Sequence, residues 1–469
     1  MPKYLYFIGT VLYIINQKSK VPLHIQLYEA IKKDIISHYT VGQKLPSIRK
    51  VASLYNLSKN TVESSYKQLY AEGYLESYPK RGYFVSDMYF DGFKGKETLV
   101  DEEKRAETVY RYDFFPARLS CESFPLKLWK RLFNKTVDDS LDFGAYHDGQ
   151  GEVGLREQIA TYLIDSRGVK CSAKQIVICN GFGESMGLLA KLVKDRYDYL
   201  GMESPGYHVA RRAFEEYGYE IEKIGVDEKG IMIEVLKHSK AQVVYITPSH
   251  QYPTGVAMPI AHRLTLLEHI QNIQGLIIED DYDSELSYEN RPIPSLQGLD
   301  KYDRVVYMGT FSKSLSPAIR VSYMILPEHL LPRYKESFDA YFPKVSLMTQ
   351  KTLERFMAEG HWDKHIRKIR TLNRKKHNLM LECLKEKLGN TMEVVSKGGG
   401  LAILINPTVS FDWEKFKTLA EEEGIKLYFA KERSGGEFEA IRMGFGGFSE
   451  REIVEAVDAF YLVWKRALI

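Results

Sequence analysis

The sequence is poor in cysteine and in net charge, and it has no apolar run long enough to span a bilayer. Its four cysteines, Cys121, Cys171, Cys179 and Cys383, show no CxxC or other ligand-like spacing. This scatter argues against a disulfide framework or a zinc site, predicts no metal, and fits reduced thiols in the cytoplasm. The formal net charge of +3 is too small to imply any partner.

The apolar stretch YLYFIGTVLYII (4–15) is the longest candidate for a membrane segment or a signal peptide. It is far shorter than the roughly 20 residues that cross a bilayer. It also lacks the basic n-region and the small-residue cleavage site of a signal peptide. We therefore expect either a leading β-strand or an over-extended start codon, and we predict a cytoplasmic protein with no membrane role.

The 469 residues divide into three predicted segments. Residues 21–85 are helix-rich, residues 86–112 form a charged linker without a sustained apolar period, and residues 113–469 alternate apolar runs with amphipathic stretches. The apolar runs include QIVIC (175–179), AQVVYIT (241–247), GLIIED (275–280) and RVVYMG (304–309). Such runs predict strands buried on both faces of a mostly parallel sheet, and hence an α/β domain. The basic run 367–377 predicts the solvated face of a long helix rather than a second DNA site.

The first segment carries the local excess of positive charge, with eleven Lys and Arg against five Asp and Glu between Lys18 and Val85. Its stretch LHIQLYEAIKKDII places apolar residues at i, i+4 and i+8, which predicts a helix with one buried face. A second helix is predicted at LPSIRKVASLY, with Pro46 in its first turn. A basic excess of this kind is a weak indication of nucleic-acid binding.

A third helix follows a tight turn at Asn56 and Leu57, and Ser58 is placed to cap it. Its sequence, KNTVESSYKQLYAEG, has polar and basic residues in the first turn. Two short helices, a turn and such a helix predict helix-turn-helix geometry, with the third helix in the major groove. The stretch YLESYPKRGYFV (74–85) predicts a basic hairpin, or wing, that meets phosphates. The alternative is a three-helix module that only packs.

The long stretch from Leu45 to Val85 closely resembles the winged helix-turn-helix of the GntR regulator family. That resemblance implies double-stranded DNA as a partner. It assigns the DNA contacts to the following residues: Ser47, Arg49, Lys59, Asn60 and Thr61, with Lys80 and Arg81 on the wing. The family usually has arginine where Lys59 stands.

The stretch GTFSKSLSPAIR (309–320) sets one lysine, Lys313, among hydroxyls and small residues. A lysine with a lowered pKa forms a Schiff base with an aldehyde, and pyridoxal phosphate is such an aldehyde. The cofactor also needs a carboxylate at its ring nitrogen, a donor at its phenolic oxygen, and a phosphate site. The sequence offers these groups in order: Asp280 for the nitrogen, Tyr282 for the phenolic oxygen, Tyr207 for the ring face, and Phe182, Gly183, Thr310, Ser312 and Arg320 for the phosphate. Each signal is weak alone, but their order on successive strand ends favours the cofactor.

The same chain resembles the fold-type I aminotransferases in the motifs CNGFGES, SPGY, TPSHQYPTG, IIEDDYDSE and GTFSKSLSPAIR. The likeness is closest to the MocR/GabR group, in which a GntR-type domain is fused to an aminotransferase-like domain. It implies Lys313 as the cofactor-bearing lysine and supports the roles given above. It also implies a domain-swapped, head-to-tail homodimer. By this likeness the large part covers about 150–340, and the small part covers about 113–149 and 341–469.

One departure from the aminotransferase pattern matters. Aminotransferases commonly have Asn-Pro-Thr-Gly, whereas here Tyr252 precedes the proline, so His250 or Gln251 takes the part of the asparagine. An amino-acid effector needs a cation for its acid group, and the candidates are Arg442 in AIRMGFG and Arg433 in FAKERSGG. We prefer Arg442, because it lies in an apolar strand where an unpaired arginine is costly to bury.

The sequence thus predicts a pyridoxal phosphate-dependent transcription regulator that binds paired half-sites or direct repeats in DNA. We expect it to sense an amino-acid-like amine through external aldimine formation at Lys313, with at most half transamination. The alternative is an active aminotransferase of the 2-aminoadipate or aromatic amino-acid class with an accessory DNA-binding domain. A DNA-binding protein with a vestigial second domain is disfavoured by the intact set of Lys313, Asp280 and Tyr282.

Overall fold

The computed structural model describes residues 13, 15–17, 19, 21–87, 110–138, 141–288, 294–338, 344–396, 398–431 and 439–469. The chain separates into two units, Met1–Glu107 and Thr108–Ile469. Most of the predicted linker 86–112 and of the apolar stretch 4–15 lies outside the described residues. The last residue of the predicted linker, Tyr112, belongs to a strand of the second unit. Every helix in the described ranges is too short or too polar to span a lipid bilayer.

The first unit is a three-helix module followed by a two-stranded hairpin. Its elements are α1 (Leu23–His38), α2 (Ile48–Tyr55), α3 (Lys59–Ala71), β1 (Leu75–Tyr78) and β2 (Gly82–Val85). The two strands are antiparallel, with Leu75 opposite Val85. This order of elements is the winged helix-turn-helix that the sequence predicts.

The apolar period of each helix builds the core of this unit. Leu27, Ile31 and Ile35 from α1 are buried against Val62 and Leu69 from α3. This burial agrees with the predicted helix faces, because residues three and four apart share one side of a helix.

Side-chain caps fix where α2 and α3 begin. The Ser58 hydroxyl accepts a hydrogen bond from the Thr61 amide, as predicted, and Asn56 adopts the left-handed conformation at φ 52° that ends α2. The prediction for Pro46 is wrong. The α2 helix begins at Ile48, with Ser47 as its N-cap, so the proline lies before the helix and not in its first turn.

The second unit is built on an eight-stranded sheet in the order β4-β11-β10-β9-β8-β5-β6-β7. The strands of the sheet are β4 (Ile176–Cys179), β5 (Tyr199–Ser204), β6 (Glu220–Asp227), β7 (Gly230–Ile231), β8 (Val243–Ile246), β9 (Leu276–Asp280), β10 (Val305–Thr310) and β11 (Ser322–Ile325). The central pairs are parallel, whereas β11 is antiparallel to both of its neighbours and β7 is antiparallel to β6. The prediction of a mostly parallel sheet is confirmed.

Helices cover this sheet, and the last of them also pack with the smaller sheet described below. They are α4 (Leu126–Asp138), α5 (Val153–Arg167), α6 (Phe182–Val193), α7 (His208–Glu215), α8 (Ile233–Lys237), α9 (Ile260–Asn272), α10 (Leu296–Leu299), α11 (Leu331–Ser337), α12 (Leu347–Ala358), α13 (His361–Leu388), α14 (Trp413–Glu422) and α15 (Glu450–Ala467). Because both faces of the sheet are covered, all residues of β4, β8 and β9 are buried. The basic run 367–377 lies on the long helix α13, as predicted, but Lys376 and His377 are buried and do not belong to its solvated face.

The small part of the second unit centres on a four-stranded antiparallel sheet in the order β12-β13-β16-β15. Its strands are β12 (Met392–Val394), β13 (Ala402–Pro407), β15 (Phe429–Lys431) and β16 (Glu439–Gly444). A further short pair joins β3 (Tyr112–Asp113) to β14 (Ile425–Lys426). The start of the second unit therefore packs with its C-terminal part, and Phe114 is buried among α15 side chains.

Candidate functional site

A cavity of about 1000 Å³ opens beyond the carboxyl ends of the parallel strands, where α/β sheets bind ligands. Its walls hold nearly every predicted cofactor residue: Asp280, Tyr282, Tyr207, Phe182, Gly183, Thr310, Ser312, Lys313 and Arg320, together with Arg442. We call it the Lys313 cavity. The structure therefore brings together predicted residues that are up to 260 positions apart, with Phe182 and Arg442 at the extremes.

Lys313 lies in the turn just past the end of β10. Its Nζ is 5.1 Å from the centroid of the Tyr282 ring. Burial lowers the pKa of the Lys313 ammonium, the nearby Arg442 adds to this effect, and the carboxylates of Asp283 and Asp280 oppose it. A lowered pKa gives the nitrogen a larger neutral fraction, which is the form that attacks a carbonyl carbon.

Asp280 is the last residue of β9 and is buried. Tyr245, on the adjacent strand β8, donates a hydrogen bond of 2.5 Å from its hydroxyl to Oδ2 of Asp280. Burial raises the pKa of Asp280 from its ordinary 3.8 to about 7, and the Tyr245 hydrogen bond opposes the rise. Such a carboxylate is ionised most readily when a cation lies against it, as a protonated ring nitrogen would.

One end of the cavity lies at the start of α6. Gly181 is the N-cap of this helix and has φ 78°, in the left-handed region that favours glycine. A Cβ at this position would lie 1.9 Å from Nη2 of Arg320, so the guanidinium takes this place because the residue is glycine. The Thr310 hydroxyl accepts a hydrogen bond from the Ser312 amide at 3.1 Å. A helix N-terminus, an arginine and hydroxyls suit a phosphate group.

Aromatic side chains form one wall of the cavity. The rings of Phe182 and Tyr207 have centroids 5.3 Å apart, and those of Tyr207 and Tyr252 are 5.2 Å apart. Burial raises the pKa of Tyr207 to about 12, so its hydroxyl stays protonated at neutral pH. Tyr207 therefore lies in a wall of the cavity that a planar ring can pack against.

In the loop after β8, the two residues that the sequence offers in place of asparagine do not line the Lys313 cavity. The Gln251 side chain forms hydrogen bonds with neighbouring loop residues: its amide donates to the carbonyl of Pro205, and its oxygen accepts from the Thr254 hydroxyl. The His250 ring pairs with Asp283, with Nδ1 2.8 Å from Oδ2, and contributes instead to a smaller cavity of about 30 Å³ that also touches Lys313. Thr247 and Tyr252 are the residues of this loop that line the Lys313 cavity.

Arg442 projects from β16 into the Lys313 cavity. Its Nη1 donates a hydrogen bond of 2.6 Å to the Tyr252 hydroxyl, and its guanidinium lies 4.7 Å from the centroid of the Tyr252 ring. In the described part of the chain it has no carboxylate partner, so it can receive the carboxylate of a ligand. The other candidate, Arg433, lies outside the described residues.

In the first unit, some of the predicted DNA-contact residues are exposed, and others are engaged in local hydrogen bonds. Lys59 and Asn60 are exposed in the first turn of α3, and Arg49 is exposed on α2. Thr61 is half-buried, and its hydroxyl is 2.8 Å from the Ser58 hydroxyl. Ser47 caps α2 by accepting from the Lys50 amide. The hydroxyls of Thr61 and Ser47 therefore already have local structural partners.

The wing carries Lys80 and Arg81 in the turn between β1 and β2, and both are exposed. The Arg81 guanidinium lies 5.8 Å from the Tyr78 ring centroid and 5.7 Å from that of Phe84. Stacking of this kind fixes the arginine while its donors stay outward.

Sequence reasoning missed a set of residues that support the site. They are Tyr245, which bonds Asp280; Asp283, which faces His250 and Lys313; and the pair Glu203 and Thr247, in which the threonine hydroxyl donates to Glu203 Oε2 at 2.7 Å. The one available signal was that Tyr245 and Thr247 end the predicted strand AQVVYIT. Their partners lie on neighbouring strands, and strand order cannot be read from spacing.

Two family descriptions match the chain. The description "Aminotransferase class I and II" matches residues 119–460, and "Bacterial regulatory proteins, gntR family" matches residues 23–85. The first covers most of the chain and the second covers the winged helix-turn-helix.

Relatives of known name span nearly the whole chain. The HTH-type transcriptional regulator YdeL of Bacillus subtilis is 37% identical over 96% of this chain and 98% of its own length. The probable rhizopine catabolism regulatory protein MocR of Rhizobium meliloti is 30% identical over 88% of this chain and 87% of its own length. Among solved structures, the multiple substrate aminotransferase of Thermococcus profundus has a TM-score of 0.69 at 24% identity, over 81% of this chain and 98% of that chain. That last likeness concerns the fold.

The residues of the Lys313 cavity fit pyridoxal phosphate. The glycine at 181 leaves a space for Arg320 that any Cβ would fill, at the N-terminus of α6. A buried carboxylate with a phenolic donor suits a protonated ring nitrogen, and a lysine of lowered pKa suits the aldehyde. Among the described residues, no group of three or more His, Cys, Asp or Glu side chains could hold a metal ion. The chain belongs to the class I and II aminotransferase family, and within it to the MocR-type regulators, in which a GntR-type DNA-binding domain is fused to a pyridoxal phosphate domain.

Proposed function

We propose that the chain is a transcription regulator that senses an amino-acid-like amine at Lys313 and changes its affinity for DNA in response. The observation that supports this most is the composition of the Lys313 cavity, where a lysine of lowered pKa shares the walls with Arg442, which has no carboxylate partner in the described residues. An amine and a carboxylate on one small molecule would meet these two groups. Cytoplasmic location remains a prediction.

Pyridoxal phosphate, when bound, supplies an aldehyde that exchanges amines and a ring that accepts electrons. The residues proposed to hold it are Asp280 with Tyr245 at the ring nitrogen, Tyr282 at the phenolic oxygen, and Arg320 with Thr310 and Ser312 at the phosphate. Tyr207 and Phe182 close the ring face. Lys313 would hold the aldehyde of the cofactor, and the carboxylates of Asp283 and Asp280 favour the ammonium form of Lys313 when its nitrogen is free.

The DNA-binding part of the proposal rests on α3 and the wing. The first turn of α3 presents Lys59 and Asn60 to base edges, while Lys80 and Arg81 contact phosphates. We propose a head-to-tail homodimer with two such modules, because two linked modules bind paired half-sites or direct repeats more tightly than one. The effector acts through the linker 86–112 only if it binds the two conformations of the dimer unequally.

The test is a retardation assay of the full-length protein on the DNA upstream of its own coding region, with and without pyridoxal phosphate and a panel of amines. We expect a retarded band whose midpoint changes when an amine is added to the cofactor-loaded protein. No retarded band under any condition would overturn the proposal.

The second candidate is a working aminotransferase, and the intact set of Lys313, Asp280 and Tyr282 favours it. Absorbance separates the two functions. In an enzyme, excess amino acid converts the cofactor fully to its amine form, and a ketoacid restores the starting band. A sensor gives a stable new band without release of ketoacid. We favour the sensor because the N-terminal unit is a winged helix-turn-helix and the relatives are named as regulators.

A further inference from the structure

Apolar side chains line the Lys313 cavity beside the predicted cofactor residues. Phe115, Leu119, Phe124 and Leu315 line it, and they come from the segment that opens the second unit and from the turn after Lys313. Leu119 and Phe124 are half-buried and pack against the buried core beneath them, and the Phe124 ring lies 5.5 Å from that of Trp129. The rest of each side chain faces the cavity. These groups form a fixed apolar wall, because their inner faces are held by packing.

This wall lies next to Arg442. Gly444 is two residues beyond Arg442 on β16, so the two positions point to the same face of the strand. A Cβ at Gly444 would lie 2.5 Å from the carbonyl oxygen of Phe115, which shows that the backbone of Phe115 crosses that face directly. The Phe115 ring is 43% exposed and is held edge-on to Tyr428 at 5.2 Å. An aromatic ring held beside a carboxylate-binding arginine is placed to touch the rest of the same ligand.

The charges around the cavity leave room for one carboxylate. Three arginines line it in the described part of the chain, and two of them, Arg320 and Arg118, lie beside other groups. Arg320 lies against Gly181 at the start of α6. The Arg118 side chain is 58% exposed and pairs weakly with Asp113 at 3.6 Å, so Asp113, which itself lines the cavity, reduces the positive charge that Arg118 offers to a ligand. Of these three, only Arg442 is without an acidic partner or an assigned anion among the described residues. A second ligand carboxylate would face apolar side chains and the Asp113 carboxylate, at the cost of an uncompensated charge.

We infer that the effector is an α-amino acid with a single carboxylate and a large apolar or aromatic side chain. Arg442 binds the carboxylate, the amine faces Lys313, and the side chain packs against Phe115, Leu119 and Phe124. This inference rests on the proposed function and gives it a substrate class. It excludes dicarboxylic amino acids and short ω-amino acids as the preferred ligands.

The first test titrates the full-length, cofactor-loaded protein with L-phenylalanine, L-leucine, L-glutamate, L-2-aminoadipate and 4-aminobutanoate. The readouts are the cofactor absorbance band and the thermal unfolding temperature. We expect phenylalanine or leucine to bind at least about tenfold more tightly than either dicarboxylate, the discrimination that a few methylenes and an unpaired charge provide. Tighter binding of glutamate, 2-aminoadipate or 4-aminobutanoate would overturn the inference.

The second test moves one charge into the apolar wall. Leu119→Lys should weaken phenylalanine binding at least about tenfold and improve glutamate binding, because the new ammonium lies in the apolar region and pairs with the second carboxylate. Leu126→Lys is the matched control, since Leu126 is 60% exposed at the start of α4 and does not line the cavity. Leu119→Ala serves if the lysine variant does not fold, and it should weaken phenylalanine alone.

Three results separate the explanations. If no amine in a wide panel alters the cofactor band of the loaded protein, the proposed sensing function fails. If amines do alter it but without preference for apolar side chains, the substrate class fails and the sensing function stands. If Leu119→Lys changes the oligomeric state in size-exclusion chromatography and leaves ligand preference unchanged, the wall is a contact between copies of the chain, and the inference is overturned.

Discussion

The hydroxyl of Tyr245 lies 2.5 Å from Oδ2 of Asp280, on the neighbouring strand of the central sheet. Both residues are buried, and β8 and β9 are parallel, so the bond joins two strand ends at the edge where the Lys313 cavity opens. Asp280 is the proposed partner of the cofactor's ring nitrogen. The hydroxyl stabilises the carboxylate form of Asp280, and so it sets how well this residue can hold a proton on that nitrogen.

Tyr245→Phe should weaken cofactor binding while leaving the fold intact. The change removes a donor from a buried carboxylate, which raises the pKa of Asp280 further and favours its neutral form. A hydrogen bond to a charged group contributes about 1.5–3 kcal/mol, so we expect the dissociation constant of pyridoxal phosphate to rise about 10- to 100-fold. Titration of the apoprotein by absorbance and by tryptophan fluorescence measures it.

Tyr307→Phe is the matched control for this prediction. Tyr307 is a buried tyrosine of β10 whose hydroxyl donates to Oδ2 of Asp281, the residue after Asp280, at 2.6 Å. It should lower thermal stability to a similar degree and leave cofactor affinity within about threefold, since Asp281 pairs with Arg167 and does not line the cavity. Equal losses of affinity in both variants would show that general loosening of the sheet is the cause.

Gly181→Ala should selectively impair the binding of the cofactor's phosphate. The new methyl group would overlap the Arg320 guanidinium, and the alanine would also be held at φ 78°. We expect the affinity for pyridoxal phosphate to fall at least about tenfold, and the affinity for pyridoxal, which has no phosphate, to change little. Gly187→Ala, on the same helix, is the control, because a Cβ there meets only the Tyr217 ring at 4.0 Å, φ is not positive and Gly187 does not line the cavity. An equal loss for both ligands would place the damage outside the phosphate site.

Asp280→Asn should stabilise the cofactor-free protein as pH rises. Burial raises the pKa of Asp280 from 3.8 to about 7, so between these values the folded chain keeps a proton that the unfolded chain has released. The free energy of unfolding of the wild type therefore falls as pH rises through this window. Asparagine keeps an acceptor for Tyr245 and carries no charge. The free energy of unfolding of Asp280→Asn should therefore exceed that of the wild type by an amount that grows from pH 5 to pH 8. This difference should reach roughly 2–4 kcal/mol in urea unfolding.

Asp281→Asn should change the free energy of unfolding at high pH in the opposite direction. Although burial raises the pKa of Asp281, the Arg167 guanidinium and the Tyr307 hydroxyl outweigh it and hold that pKa below its ordinary value. Removing this carboxylate leaves Arg167 buried without its ion-pair partner, so the variant should be less stable at pH 8. Parallel pH profiles for the two asparagine variants would contradict the assigned charges.

Much of the fold could be predicted because its signals are local. The apolar periods of α1 and α3 and the caps at Asn56 and Ser58 depend on residues a few positions apart. The continuous Val and Ile runs of β8 and β9 are visible for the same reason. The strand β6 does not stand out as an apolar run, because its charged residues face the surface near the sheet edge. Pro46 was misplaced because Ser47 is a stronger start signal than a proline.

The site was predictable where a motif carries the chemistry and not where strands only meet in space. Lys313, Asp280, Tyr207 and Arg320 lie in motifs with a stated task, and all four line one cavity. In the sequence, Tyr245 cannot be distinguished from the apolar residues of a buried strand. Its hydrogen bond to Asp280 depends on the pairing of β8 with β9, which the sequence does not reveal. The loop TPSHQYPTG shows the same limit, because its turns decide which of its residues line the cavity, and these are Thr247 and Tyr252.

The last prediction separates base reading from phosphate binding in the first unit. Asn60→Ala, in the first turn of α3, should weaken binding to the upstream DNA by about 1–3 kcal/mol and leave binding to a scrambled fragment unchanged. Arg81→Ala on the wing should weaken both complexes alike and reduce the slope of log K against log salt by about 1, because one phosphate is no longer neutralised. Lys33→Ala is the control, since this exposed lysine lies on α1, away from the recognition turn, and neither property should change. Retardation assays from about 50 to 200 mM salt would measure all three. If Asn60→Ala lowered both affinities equally, α3 would bind the backbone and the base contacts would have to come from elsewhere in the unit.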